Sequence, residues 1–106
     1  ADSFENTNWK AITYLYRLLE QINPNIMVQF NKAIAIGFAD GSQRGIDALL
    51  TIKGLEKSPY YHTALGDFYA KIKENSTAKN HYETAIQLTT SKAEWQLIWK
   101  KIESVS

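Results

Sequence analysis

The chain has 106 residues, 44% apolar and 22% charged, a balance that fits one compact domain around a single core. Its net charge of +1 comes from twelve Lys and Arg scattered among eleven Asp and Glu, so the concentrated basic footprint that binding to a phosphate backbone needs is missing. Cysteine is absent, which excludes disulfides, thiolate zinc sites and cysteine nucleophiles and is compatible with a reducing compartment.

Residues 1–7 are polar, open without a Met and show no basic-then-apolar signal; they read as a lead-in or linker before a single domain over 8–106. That opening is the kind expected of a piece cut from a longer protein. No apolar run reaches bilayer length, so no membrane span is expected and the cytoplasm is the default compartment.

From Trp9 to Ile22 the residues Trp9, Ile12, Leu15, Tyr16, Leu19 and Ile22 recur at three- and four-residue steps, the period of one inward helical face. Asn23-Pro24 stops that helix, and Pro24 is expected to open the next. Asn25 to Phe38 is apolar almost all round, as in a helix covered on several sides, with a strand as the competing reading. Ala39-Asp40-Gly41-Ser42 is a turn with Ser42 as the expected cap, and Ile46, Leu49, Leu50 and Ile52 give a third, shorter helix before Gly54. Ser58-Pro59 opens a fourth helix to about Lys73, with Tyr61, Leu65, Phe68, Tyr69 and Ile72 inward. A fifth carries Ala78, Tyr82, Ala85, Ile86 and Leu88, and the Asn75-Ser76-Thr77 glycosylation pattern is read as its cap. Ser91 and Glu94 have capping-box spacing ahead of a sixth helix with Trp95, Ile98, Trp99 and Ile102. No strand is needed.

Helices four and five contain Leu65-Gly66-x-x-Tyr69 and then Ala78-x-x-x-Tyr82-x-x-Ala85, which resembles the tetratricopeptide signature. Gly66, Ala78 and Ala85 let two antiparallel helices approach, while Leu65, Tyr69 and Tyr82 fill the space beside them. His62 and Thr90 depart from that pattern. A slide of 35 residues superposes Pro59 on Pro24, Leu65 on Phe30 and Tyr69 on Ile34, and a slide of 33 superposes Ala78, Tyr82 and Ala85 on Gly45, Leu49 and Ile52. The expected architecture is all-α: about six helices in tetratricopeptide-like antiparallel hairpins, a short right-handed array with helices one and six as caps. The resemblance implies a concave binding face on the first helix of each pair. In one copy its positions map to Asn25, Val28, Lys32, Ala35 and Ile36, and in the other to Tyr60, Thr63, Asp67, Ala70 and Lys71. Thr63 and Asp67 do not reproduce the Lys and Asn clamp by which some of these domains hold a peptide C-terminus.

Read end to end, the chain also resembles the C-terminal extension of a branch of extracytoplasmic-function sigma factors of bacterial RNA polymerase. The residues that carry this are Asn8-Trp9 with Ile12, Leu15 and Tyr16; Pro24; Phe30-Asn31-Lys32-Ala33-Ile34-Ala35; Gly41; Tyr61-His62 with Ala64; Ala78, Tyr82 and Ala85; Ala93-Glu94; and Lys100-Lys101. The resemblance implies a domain that tunes sigma activity through contacts with the sigma core regions, the polymerase or a regulator, without reading DNA. A stand-alone tetratricopeptide-like adaptor or sigma effector is the alternative, followed by a small helical ligand-binding protein or enzyme.

No enzyme and no cofactor are expected. His62 and His81, the only histidines, are read as packing or surface residues, since two histidines cannot complete a zinc site. Asp67 stands five residues from His62, a step that does not stack side chains on one helical face for acid-base work. Asp40-Gly41 lacks the run of acids of a calcium loop. Asn31 is expected to make a buried hydrogen bond, Lys32 to contact a partner, and Trp95 and Trp99 to lie in the core, a sticky patch for a longer protein being the other reading of that pair.

Overall fold

The computed structural model describes residues 8–106, which form six α-helices and, among those residues, no strand. They are α1 (Trp9–Ile22), α2 (Ile26–Asp40), α3 (Ser42–Leu50), α4 (Pro59–Lys71), α5 (Asn75–Leu88) and α6 (Lys92–Val105). Packing is chiefly sequential, each helix against the next, with α2 also touching α4. This is the all-α hairpin array that the repeat predicts. The expectation for residues 1–7 lies outside the described residues.

Four helices start on side-chain caps. Asn8 accepts from Ala11 N–H at 3.1 Å, Asn25 from Val28 N–H at 2.9 Å, Ser58 from Tyr61 N–H at 3.4 Å and Ser91 from Glu94 N–H at 3.3 Å. Pro59 occupies the first turn of α4, as its position after Ser58 predicts. The capping box of α6 is built differently from its sequence spacing: Glu94 accepts from the Thr89 hydroxyl at 2.9 Å, and that hydroxyl in turn accepts from Ser91 N–H.

Several local expectations need correction. Pro24 stays outside α2, because Asn25 is the cap and takes the extended conformation that the capping geometry requires. Ser42 is not a cap but the first residue of α3. The cap position belongs to Gly41, whose φ of 110° lets α2 turn into α3 with no loop between them. Ile52 lies beyond α3 yet is buried, while Leu50 faces outward. Asn75 does not cap α5; the chain leaves α4 through Lys73 at φ 63°, with Glu74 N–H bonding to Tyr69 O and Lys73 N–H to Ala70 O, and Glu74 precedes α5 without a side-chain cap.

The principal core joins α2, α3 and α4 through Ala33, Ile46, Leu49, Tyr61, Leu65 and Phe68, with Ile52 and Leu55 from the connection between α3 and α4. A second core joins α5 and α6 through Ala78, Tyr82, Ala85, Ile98 and Ile102. Glycines set how closely the helices approach. A Cβ on Gly66 would lie 2.5 Å from the Tyr82 ring, and one on Gly45 would lie 2.7 Å from the Cα of Gly37. Phe68 fills the notch these last two leave, since a Cβ on Gly37 would stand 2.2 Å from its ring.

The outer helices bury less than their apolar faces promise. On α1 only Thr13 is buried, whereas Leu15, Leu19 and Ile22 are exposed. Trp95 and Trp99, expected in the core, are 43% and 46% exposed and stack on each other at 5.8 Å, because Ile98 and Ile102 take the face against α5. Ile72 and Asn31 also look outward, so Asn31 has no buried hydrogen bond to make.

Candidate functional site

A groove of 450 Å³ opens where α2, α4, α5 and α6 meet. Its apolar wall is Ile34 and Phe38 from α2 with Ala64, Phe68 and Ala70 from α4; its polar groups are Asp67, Lys71, Tyr82, Lys101 and Ser104. The aromatic end is a chain of rings. Trp9 packs on Phe38 at 4.7 Å, Phe38 meets Phe68 edge-on at 5.7 Å, and the Lys71 ammonium sits 4.5 Å above the Phe38 ring.

The polar end is organised by Asp67. Its Oδ1 accepts from the Tyr82 hydroxyl at 2.6 Å and from Lys101 Nζ at 3.0 Å, so one carboxylate ties α4 to α5 and α6. Burial, and then the bond to Asp67, push the Tyr82 phenol far above the usual tyrosine range, and it stays a donor. Lys101 lies 34 residues beyond Asp67. Glu94 lies at the same interval beyond Tyr60 and acts on its hydroxyl, holding that phenol above its usual value through hydrogen bonding. The Asp67–Lys101 ion pair thus bridges α4 and α6, while α6 packs on α5.

Of the sequence-derived candidates, Asp67, Ala70 and Lys71 line the groove. Tyr60 is exposed near the N-terminal end of α4, lining a separate apolar hollow with Met27 and Phe30, and Thr63 turns its hydroxyl back to Pro59 O. The first copy is placed elsewhere. Val28 and Ala35 are buried outside the α2–α3–α4 core, under α1. Lys32 is paired with Glu20 of α1 at 2.7 Å, Asn25 is spent as a cap, and Ile36 lies in the seam with α3. The physical reason is that α1 packs along the face of α2 that is equivalent to the open face of α4. The groove residues missed in the sequence are Ile34, Phe38, Ala64, Phe68, Tyr82, Lys101 and Ser104, and the interval from Asp67 to Lys101 was the signal that could have pointed to Lys101.

His62 and His81 lie behind the groove, in the α4–α5 seam. Their Nδ1 atoms are 3.2 Å apart, and His62 Nε2 lies 2.7 Å from Glu56 O. A carbonyl only accepts, so His62 Nε2 carries a hydrogen; with His62 neutral, its Nδ1 accepts from His81 Nδ1–H. Tyr69 stacks on His81 at 5.5 Å, and Asp67 is bonded elsewhere, so no His62–Asp67 pair forms. Burial, then the neighbouring His62, hold His81 below its usual value. The unfolded chain therefore binds a proton that the folded chain resists. Stability from this group is complete above an unfolded value of about 6.5 and is lost as pH falls through the window below it. Melting curves from about pH 7.5 to about pH 5 should show a falling midpoint, and His81→Asn should flatten that fall.

Among the described residues no helix is long and apolar enough to cross a membrane. No family model matches the chain, and no solved structure matches it. An uncharacterized protein of Rhizobium meliloti (strain 1021) is 27% identical over 108 residues, an alignment that covers all of this chain but 25% of that protein. The chain thus spans a quarter of the length of the curated relative it matches.

Proposed function

We propose that the groove between α2, α4 and α6 receives a segment of a partner protein, and that the chain is a regulatory interaction domain of an extracytoplasmic-function sigma factor, acting on transcription initiation in the cytoplasm without reading DNA. The observation that carries the binding role is the groove: an apolar wall long enough for a bulky anchor, with charged groups at its rim. Its electrostatics give the partner a sign. Asp67 is neutralised by Lys101, whereas Lys71 makes no ion pair among the described residues, so the groove favours a segment carrying an acidic side chain beside its apolar anchor. The sigma-factor assignment is supported by the end-to-end residue resemblance, and the alignment to a quarter of a longer relative is compatible with it.

The test is transcription with RNA polymerase and the protein encoded by the full reading frame. Removing residues 8–106 should change transcript yield while promoter binding is retained. Lys71→Glu should reproduce the change by weakening partner capture about tenfold, near 1.4 kcal/mol. A reading frame without sigma core regions, or transcript yield indifferent to both changes, would remove the assignment. Capture of another acidic protein through the same groove would retain only the adaptor role.

A further inference from the structure

The start of α1 stands at the rim of the groove. Trp9, its first residue, packs on Phe38 at 4.7 Å, and the Lys71 ammonium lies 4.5 Å from the centre of the same ring. Phe38 and Lys71 both line the groove, so the chain that precedes Trp9 is tethered beside its aromatic end. Asn8 caps α1, and the residues before it read Ala-Asp-Ser-Phe-Glu-Asn-Thr. An extended chain covers at most about 3.3–3.6 Å per residue, so Phe4, five residues before Trp9, can reach about 17 Å. Along α4 the groove runs from Ala64 to Lys71, about 10 Å of helix. The tether is long enough to place Phe4 anywhere along that wall.

The composition of residues 1–7 matches what the groove receives. Phe4 is the only large apolar side chain among them, Asp2 and Glu5 are the only charged ones, and both are negative. An aromatic anchor beside a carboxylate suits the wall of Ile34, Phe38 and Phe68 with Lys71 at its rim, since Lys71 makes no ion pair among the described residues whereas Lys101 is held by Asp67. Lys10 and Arg17 of α1 are also basic, but the hollow they line is less than half the size, 200 Å³ against 450 Å³, and already holds Asp40. A short tether gives a local concentration on the order of mM, so a contact too weak to hold a free peptide can still close. We infer, resting on the groove as a protein-binding site, that the chain's own lead-in occupies it, with Phe4 against the Phe38 and Phe68 wall and the Asp2 and Glu5 carboxylates toward Lys71, and that a partner segment binds by displacing it.

The test places p-benzoylphenylalanine at position 4 of the intact chain and maps its photo-crosslinks by mass spectrometry. Crosslinks should fall on Ile34, Phe38 or Phe68 of the same chain, keep their yield on dilution, and drop at least about threefold with Lys71→Glu. Crosslinks confined to the Lys10 and Arg17 hollow, crosslinks only between two chains, or none in the groove would overturn the inference. As a second readout, Phe4→Ser in the intact chain should shift the amide resonances of Phe38, Phe68 and Lys71 and leave that of Glu83 in place; unshifted groove resonances would overturn it as well. In transcription with the full-length protein, Phe4→Ser empties the groove and should move transcript yield in the direction opposite to Lys71→Glu, and a change in the same direction would overturn the competition. Groove crosslinks from position 4 with transcript yield indifferent to both variants would keep the tethered occupant and remove the sigma-factor reading. A Lys71 crosslink to the polymerase with no groove crosslink from position 4 would do the reverse.

Discussion

Phe68→Ala is expected to destabilise the domain by about 4 kcal/mol, the usual cost of emptying a buried phenylalanine site, out of a total of about 5–15 kcal/mol. Phe68 is 2% exposed, sits in the notch between Gly37 and Gly45 and meets Phe38 edge-on. Its loss opens a cavity where α2, α3 and α4 cross and removes part of the groove wall. The notch provides an internal control. The three heavy atoms nearest a Cβ on Gly37 all belong to the Phe68 ring, so Gly37→Ala should be costly alone and much less costly once Phe68 is alanine. Urea unfolding of the two single variants and the double variant reads this directly. Additive losses would show that ring and glycine do not share one space.

Gly45→Ala should cost about 3 kcal/mol, the upper part of the range for overpacking, and should not be rescued in the same way. Its Cβ would stand 2.7 Å from the Cα of Gly37 as well as 2.9 Å from the Phe68 ring. Backbone cannot rotate aside as a ring can, so α2 and α3 must separate, and the turn at Gly41 that joins them directly leaves little slack. In the Phe68→Ala background most of the cost should persist. A Gly45→Ala variant as stable as the wild type in urea would mean that the two helices do not cross this closely. That outcome would undermine the hairpin packing that positions the groove.

The helices were legible because each has a period, a stop or a cap written in adjacent residues. Trp9–Ile22 needed only its three- and four-residue steps and Asn23-Pro24; α4 needed Ser58-Pro59. Which neighbour covers an apolar face is not written locally. The pattern in α1 marks Leu15, Leu19 and Ile22 as one face with Trp9 and Ile12, yet α1 packs chiefly on one neighbour, α2, which takes Trp9, Thr13 and Glu20 and leaves Leu15, Leu19 and Ile22 exposed. Trp95 and Trp99 are exposed for the same reason at the other end of the array, where α5 takes Ile98 and Ile102.

The site was half legible. Asp67 and Lys71 came from aligning α4 with a repeat, and they line the groove. The same alignment placed Lys32 on an open face, but the interval between two copies says nothing about a helix that precedes both and packs along the first. Gly37 and Gly45 were hard to weigh because a glycine inside a helix looks only like a loss of helix propensity; its use appears when the Phe68 ring, from another helix, fills the space. Tyr82 was assigned to packing, which it does, and its hydroxyl adds the bond to Asp67 that needs the tertiary fold to be seen.

We propose that a partner segment lies in the α2–α4–α6 groove. The most direct measurement is site-specific photo-crosslinking in the full-length protein with RNA polymerase present, with the crosslinker placed at Lys71 in the groove, and at Glu83 on the exposed surface of α5 as the control. The expected result is a crosslink from Lys71 to an acidic segment of the sigma core regions, the polymerase or a regulator, lost on Phe38→Ser and absent from Glu83. Crosslinks of equal yield from both positions, or none from Lys71 while transcription still responds to removal of residues 8–106, would contradict it.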